Sequence, residues 1–332
     1  MQAPGTKLDD MTPNSDHQAA GKTYLVTGAS AGIGYFVAEQ LAAANATVVL
    51  GCRDTAKADL AMRAIRTQVP DARLRSVRVD LADPSSLPAT VESLDVDHLD
   101  AVVLNAGVMP TGPDRRVNAA GNELTFATNH LGHFALLAHL MPILIATPNA
   151  RVITVGSFTA RSARLDLTDL QSEHDYQPKR TYERSKLAQI LIGFELDRRL
   201  RAHGIDNASI VVHPGGALDS LTPSRPPLFS RTTTQHLLAL PAGALVHGKH
   251  AGAEPIVRAV LDNEITSGEL WGPRIFGLRG KPHREAPHLH MTDPATAAEL
   301  WTASSKLTEL DPLPLPPNIP VRTTSEYQRH GA

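Results

Sequence analysis

The chain has 332 residues, 42% of them hydrophobic, and its 32 basic and 34 acidic side chains leave a net charge of −2. That size and apolar content suit one large α/β domain or two small ones, and so balanced a charge gives no ground for nucleic acid or an anionic membrane as partner. The single cysteine, Cys52, excludes an internal disulfide and any multi-cysteine metal site.

Residues 1–20 are polar, with Lys7, Asp9, Asp10 and Asp16, and read as a flexible leader rather than a signal peptide. Beyond them, apolar runs alternate with helical patterns. Thr23–Thr27 reads as a strand, Ile33–Ala44 as a helix, Thr47–Leu50 as a strand and Ala56–Val69 as a helix. Leu74–Val79, Ala101–Leu104, Arg151–Val155 and Ser209–Val212 are further strands, whose continuous apolar character suggests cover on both faces. The expected fold class is α/β, a doubly wound parallel sheet with helices on both faces, in a single domain over residues 21–310.

The most apolar stretch, Phe134–Ala146, is shorter than the ~20 residues a bilayer span needs. It also carries His139 and Pro142, so no stable membrane insertion is expected and the default location is the cytoplasm. Between Leu218 and His250 the alternation breaks, with Pro223, Pro226, Pro227 and Pro241. Ligands of open parallel sheets bind beyond the carboxyl ends of the strands, so this segment reads as a substrate lid over about 218–250, with Leu218, Leu221, Leu228, Phe229 and Leu237 facing an apolar ligand. A surface insertion without a role is the alternative. Residues 311–332 open on Asp311-Pro-Leu-Pro-Leu-Pro-Pro and read as an extended proline-rich tail.

The segment Thr27-Gly28-Ala29-Ser30-Ala31-Gly32-Ile33-Gly34 follows a strand and opens a helix, the context of a dinucleotide-binding turn. Its glycines let the backbone approach a pyrophosphate, which the helix amino terminus then attracts. After the second strand comes Arg53, a guanidinium suited to the 2′-phosphate of NADP(H). Asp54 beside it reads either as a ribose reader or as a helix cap. Asp80 and Leu81 follow the third strand, positioned for the adenine edge, although a turn-stabilising role suits Asp80 nearly as well. Asn105-Ala106-Gly107 after the fourth strand lets backbone pass close to the cofactor. Further on, Tyr182 and Lys186 lie four apart, on one face of a helix. A positive charge there would favour the phenolate and lower the tyrosine pKa, tuning the phenol to exchange a proton with a carbonyl oxygen or an alcohol. His130, His133 and His213 have no carboxylate or cysteine at metal-ligand spacing, so they read as packing or substrate-contact residues and no metal site is expected.

Together these motifs resemble the short-chain dehydrogenase/reductase superfamily, with its Rossmann-type fold, from about residue 22 to residue 310. The family's glycine motif matches Thr27–Gly34, its Asn-Ala-Gly motif Asn105–Gly107, and its Tyr-x-x-x-Lys pair Tyr182 and Lys186. Its catalytic serine corresponds to Ser157 in Thr154-Val155-Gly156-Ser157. The fourth member of its tetrad corresponds to Asn129 in Thr128-Asn129-His130-Leu131-Gly132-His133-Phe134. Arg164–Leu170, Tyr182–Ala188, Cys52-Arg53-Asp54 and Leu300-Trp301-x-x-Ser304 look like the retinol dehydrogenase and protochlorophyllide reductase branch, which mostly uses NADP(H) and handles bulky lipophilic carbonyls or alcohols.

The resemblance implies an oxidoreductase, a ketoreductase or dehydrogenase. Tyr182 would be its general acid/base, Ser157 the hydrogen-bond donor to the substrate oxygen, and Lys186 the ribose ligand; Asn129 would hold a water that relays protons to Lys186. Pro214 and Gly215, after the sixth strand, would complete the cofactor loop. There this chain departs from the pattern: Ala217 and Asp219 replace the usual valine and threonine, and Asp219 brings negative charge toward a phosphate. That departure motivates a second reading, an epimerase or tailoring enzyme without net redox. A non-catalytic module sensing nucleotides is a third, disfavoured because Ser157, Tyr182 and Lys186 are all present. The family's helical interface leaves a homodimer open.

Overall fold

The computed structural model describes residues 19–315. Of the expected leader only Ala19 and Ala20 fall within it, and of the tail only residues 311–315. The chain runs through β1 (Thr23–Thr27), α1 (Gly32–Ala43), β2 (Thr47–Cys52), α2 (Thr55–Gln68), β3 (Arg73–Arg78), α3 (Leu87–Glu92) and β4 (Ala101–Leu104). A short helix α4 (Leu124–Phe126) widens into a π-turn over Ala127–Leu131 and continues as α5 (Gly132–Ala146). Then come β5 (Arg151–Val155), α6 (Pro178–Ala202), β6 (Ala208–Val212), β7 (Ala217–Leu218), α7 (Thr233–Ala239), β8 (His247–Gly248) and α8 (Lys249–Leu261). The chain closes with β9 (Leu270–Ile275), β10 (Arg279–Glu285), α9 (Leu289–Thr292) and α10 (Pro294–Thr308).

Eight strands form one sheet in the order β10-β9-β6-β5-β4-β1-β2-β3, parallel throughout except for the β9–β10 pair. Chain order reverses between β1 and β4, and a crevice opens there beyond the carboxyl ends of the strands. The central strands β1, β4, β5 and β6 are buried almost end to end, because helices cover both faces. β3 differs from the continuous apolar strand expected. It is an edge strand whose arginines are exposed and in which only Leu74 and Val77 are buried, and charge on an edge discourages pairing with another chain. The last two strands escaped the sequence reading. β10 is polar and contains Pro282, which an edge strand tolerates.

One core fills the side of the sheet covered by α3, α5, α6 and α10, and the other lies under α1, α2 and α8. The run Leu124–Ala146 is long and apolar enough, by length and composition alone, to cross a membrane. Here Phe134, Leu136, Leu137, Leu140 and Leu144 of that run are core residues. Trp301 of α10 packs edge-on against Phe134 at 5.0 Å, with the Arg199 guanidinium 4.1 Å over its ring. The head of the expected tail docks on this layer. Asp311 accepts from the Trp301 indole at 2.9 Å, and the Leu313 carbonyl accepts from Arg199, also at 2.9 Å.

Candidate active site

The glycine segment takes the shape its residues dictate. Gly28 and Gly32 have φ of +69° and +62°, values that side chains disfavour. A Cβ on Gly34 would overlap the Asn105 amide and the Gly28 carbonyl. Thr27 ties the first and fourth strand ends together. Its hydroxyl donates to the Val103 carbonyl at 3.1 Å and accepts from the Asn105 and Ala106 amides at 2.9 and 3.0 Å, while Asn105 Nδ2 donates to the Thr27 carbonyl at 2.8 Å. The amino end of α1 carries no side-chain cap and no acid in its first turn, so its N–H groups face the crevice unpaired by side chains.

A single cleft of about 650 Å³ brings these parts together. It is lined by Gly28, Ser30, Ala31, Gly32, Ile33, Gly34, Arg53, Asp80, Leu81, Asn105, Ala106 and Gly107 on one side, and by Ser157, Tyr182, Lys186, Pro214 and Gly215 on the other. Asp54 resolves as a helix cap, its carboxylate accepting from the Lys57 amide at 3.1 Å. Arg53 is exposed at the cleft and has no acidic partner among the described residues. Asp80 serves its turn, accepting from the Ala82 amide at 3.2 Å, and still lines the wall. Positive φ recurs at Gly215 (+72°), where a Cβ would meet the Leu278 carbonyl at 2.6 Å. The loop after β6 is braced behind that wall: Glu285 accepts from Arg161 at 2.6 Å and pairs with His213 at 3.1 Å.

The catalytic candidates meet with one correction. Lys186 is buried and its ammonium donates to the Val155 carbonyl (3.1 Å) and to Gln189 Oε1 (2.7 Å). Burial holds its pKa at about 8. The Tyr182 phenol, expected to be lowered by this ammonium, is instead pushed up by burial, with the Ser157 hydroxyl pulling the other way. Desolvation of the phenolate outweighs the attraction of a lysine engaged elsewhere. Asn129 sits in the π-turn, fully buried and beneath the cleft. Its side chain clamps Val108, accepting from the amide at 2.7 Å and donating to the carbonyl at 3.0 Å, and also donates to Ser185 at 2.9 Å.

Two residues the sequence reading did not assign to the site link these parts. Gln189 Nε2 meets His133 Nδ1 at 3.1 Å, and His133 Nε2 meets the Thr27 hydroxyl at 3.0 Å. A buried chain thus runs from Lys186 through Gln189 and His133 to the glycine turn. The available signal was a glutamine on the otherwise apolar face Leu187–Ile192. His130 is a core residue bonded to Ser304 at 2.7 Å. Burial holds both imidazoles at about 3, hence neutral.

The lid differs most from expectation. Leu218, Leu221, Leu228, Phe229 and Leu237 do not line the main cleft. Leu228 and Phe229 bound a separate cavity of about 160 Å³ against Tyr35 and Phe36 of α1, while Leu237 points to solvent, 58% exposed. The reason is an anchor the sequence does not show: Arg225 grips Glu39 of α1 with two bonds of 2.6 and 2.8 Å. Asp219 is not left facing a phosphate alone either, since Lys249 pairs with it at 2.5 Å.

Known proteins agree with this geometry. Residues 22–168 match the family model of the short chain dehydrogenases. Human retinol dehydrogenase 13 is 31% identical over 297 residues, covering 88% of this chain and 86% of its own length. Human retinol dehydrogenase 11 is 36% identical over 200 residues, 60% of this chain and 62% of that protein. A crystal structure of an uncharacterized protein from Mycobacterium paratuberculosis superposes with a TM-score of 0.72 at 30% identity, over 89% of this chain and 96% of that one. On these likenesses the chain belongs to the short-chain dehydrogenase/reductase family of oxidoreductases, in its retinol dehydrogenase-like branch.

Proposed function

We propose that the protein is an NADP(H)-dependent oxidoreductase acting on a bulky apolar carbonyl or alcohol, with Tyr182 as general acid/base. The observation that carries this is the shared cleft, in which Ser157, Tyr182 and Lys186 face the glycine turn and Arg53 stands without an acidic partner. The positive-φ glycines, the side-chain-free amino end of α1 and the close approach at Gly34 fit a dinucleotide. Gly28, Ser30 and Gly32–Gly34 would hold its pyrophosphate, Arg53 its 2′-phosphate, and Lys186 the nicotinamide ribose. When bound, that cofactor supplies or accepts the hydride.

The chain's own part is proton handling and position. A raised Tyr182 pKa keeps the phenol protonated at neutral pH, ready to give its proton to a developing alkoxide. Ser157 donates a hydrogen bond to the same oxygen. Oxidation needs the phenolate, so its rate climbs with pH while reduction is flat across neutrality. The relatives' name, retinol dehydrogenase, denotes an apolar alcohol and supports the substrate class.

A fluorescence titration with NADPH and NADH tests this reading, followed by a panel of carbonyls with Tyr182→Phe as control. NADPH is expected to bind tighter, with the preference lost in Arg53→Ala. Tyr182→Phe is expected to lower turnover about 10³-fold. No binding of either nucleotide, or full activity in Tyr182→Phe, overturns it.

A further inference from the structure

The ion pair at the start of α8 carries an inference that rests on the nucleotide-binding reading above. We propose that Lys249 is a cofactor-phosphate ligand, held by Asp219 at the pyrophosphate end of the cleft, where the family pattern would have a threonine. Lys249 lines the main cleft together with Ala31, Gly32 and Gly215, whereas Asp219 does not. Both residues bound the smaller cavity behind, again with Ala31 and Gly32. Lys249 thus shares both cavity walls with the amino end of α1, where the helix dipole and unpaired N–H groups already favour an anion. Its Nζ is 2.5 Å from Asp219 Oδ1, with the lysine side chain 25% and the carboxylate 64% exposed. The cation is therefore set in the wall and the acid lies on the solvent side.

Its backbone is fixed as well, the Lys249 amide donating to Thr222 Oγ1 at 2.9 Å. An aspartate alone at this place would repel a pyrophosphate; paired, it orients a lysine that attracts one. Arg53 lines the same cleft just after the end of β2. The two cations divide the work: Lys249 meets phosphates common to NADPH and NADH, and Arg53 meets the one they do not share.

The test compares NADPH and NADH affinities, by fluorescence titration, for the parent, Lys249→Gln and the double variant Lys249→Gln/Asp219→Asn. Lys249→Gln removes a charge-assisted bond and uncovers a carboxylate, so both nucleotides are expected to weaken about 30-fold. The double variant is expected to stay about tenfold weaker than the parent for both. Arg53→Ala, by contrast, weakens NADPH alone. A double variant with parental affinity would mean that Lys249 merely neutralises Asp219, and overturns the proposal, as does an unchanged Lys249→Gln. A parent that binds neither nucleotide removes the underlying reading as well, a result distinct from both. Thermal melts of the variants within about 2 °C of the parent show that affinity, not folding, is being read.

Discussion

The wall of the cleft built on β1, β4 and α6 and the lid that follows β6 are held together by different means. In the wall a set of buried polar groups is paired within the fold: Thr27 joins two strand ends, Asn129 clamps Val108, and Lys186, Gln189 and His133 form one buried chain. The lid hangs on a few ion pairs and caps, chiefly Arg225 on Glu39, Lys249 on Asp219 and the capping box of Thr232 and Gln235. Its leucines at 237, 238, 240 and 245 are all more than half exposed. Such a contrast suits the proposed reaction, with fixed geometry around cofactor and proton donor and an adaptable segment beyond the sixth strand.

The largest effect is expected in the wall. Gly34→Ala would drive a methyl into the Asn105 amide and the Gly28 carbonyl. The first breaks the Asn105–Thr27 bond and the second is backbone, which cannot turn aside. A loss of about 2–3 kcal/mol, seen as a fall of about 3–5 °C in Tm, should accompany a nucleotide affinity at least tenfold weaker. Full retention of both would show that the wall is softer than its packing says.

Acid probes the same wall. His130 and His133 are held at about 3 against an ordinary 6.5. Between those values the unfolded chain binds more protons, so their contribution to stability is lost as pH falls below 6.5. The cost is on the order of 3 kcal/mol each by pH 4. Urea unfolding at pH 7, 5.5 and 4 measures it; equal midpoints would mean that these imidazoles are solvated.

The lid should show the smallest effect on stability. Leu238 is 77% exposed, so Leu238→Ser is expected to leave Tm within about 1 °C. KM for an apolar substrate should rise a few-fold with kcat unchanged if the lid leucines close over the substrate. A drop in Tm like that of Gly34→Ala would erase the distinction between the two regions.

Short-range features carried much of this molecule. Glycine spacing between a strand and a helix, the i, i+4 pair Tyr182–Lys186, and apolar runs at strand length are local, so the parallel core from β1 to β6 and much of the cleft lining were legible in the sequence alone, though not Val108, Met109, Thr128 or Lys249. Polar β10 was not, because an edge strand needs no apolar pattern, only a neighbour with free hydrogen-bonding groups. Nor were the roles of Gln189 and His133, which depend on α5 and α6 meeting over the sheet.

Protonation lies wholly on the tertiary side. Spacing put a lysine near Tyr182, but burial decided that the phenol rises and that the ammonium turns to Val155 and Gln189. Asp219 read as a misplaced charge until α8 brought Lys249 to it, 30 residues along the chain. Local sequence determined which groups this protein carries and the turns that present them. Long-range packing decided their partners and their solvent, because desolvation and charge pairing depend on distances the chain acquires only when folded.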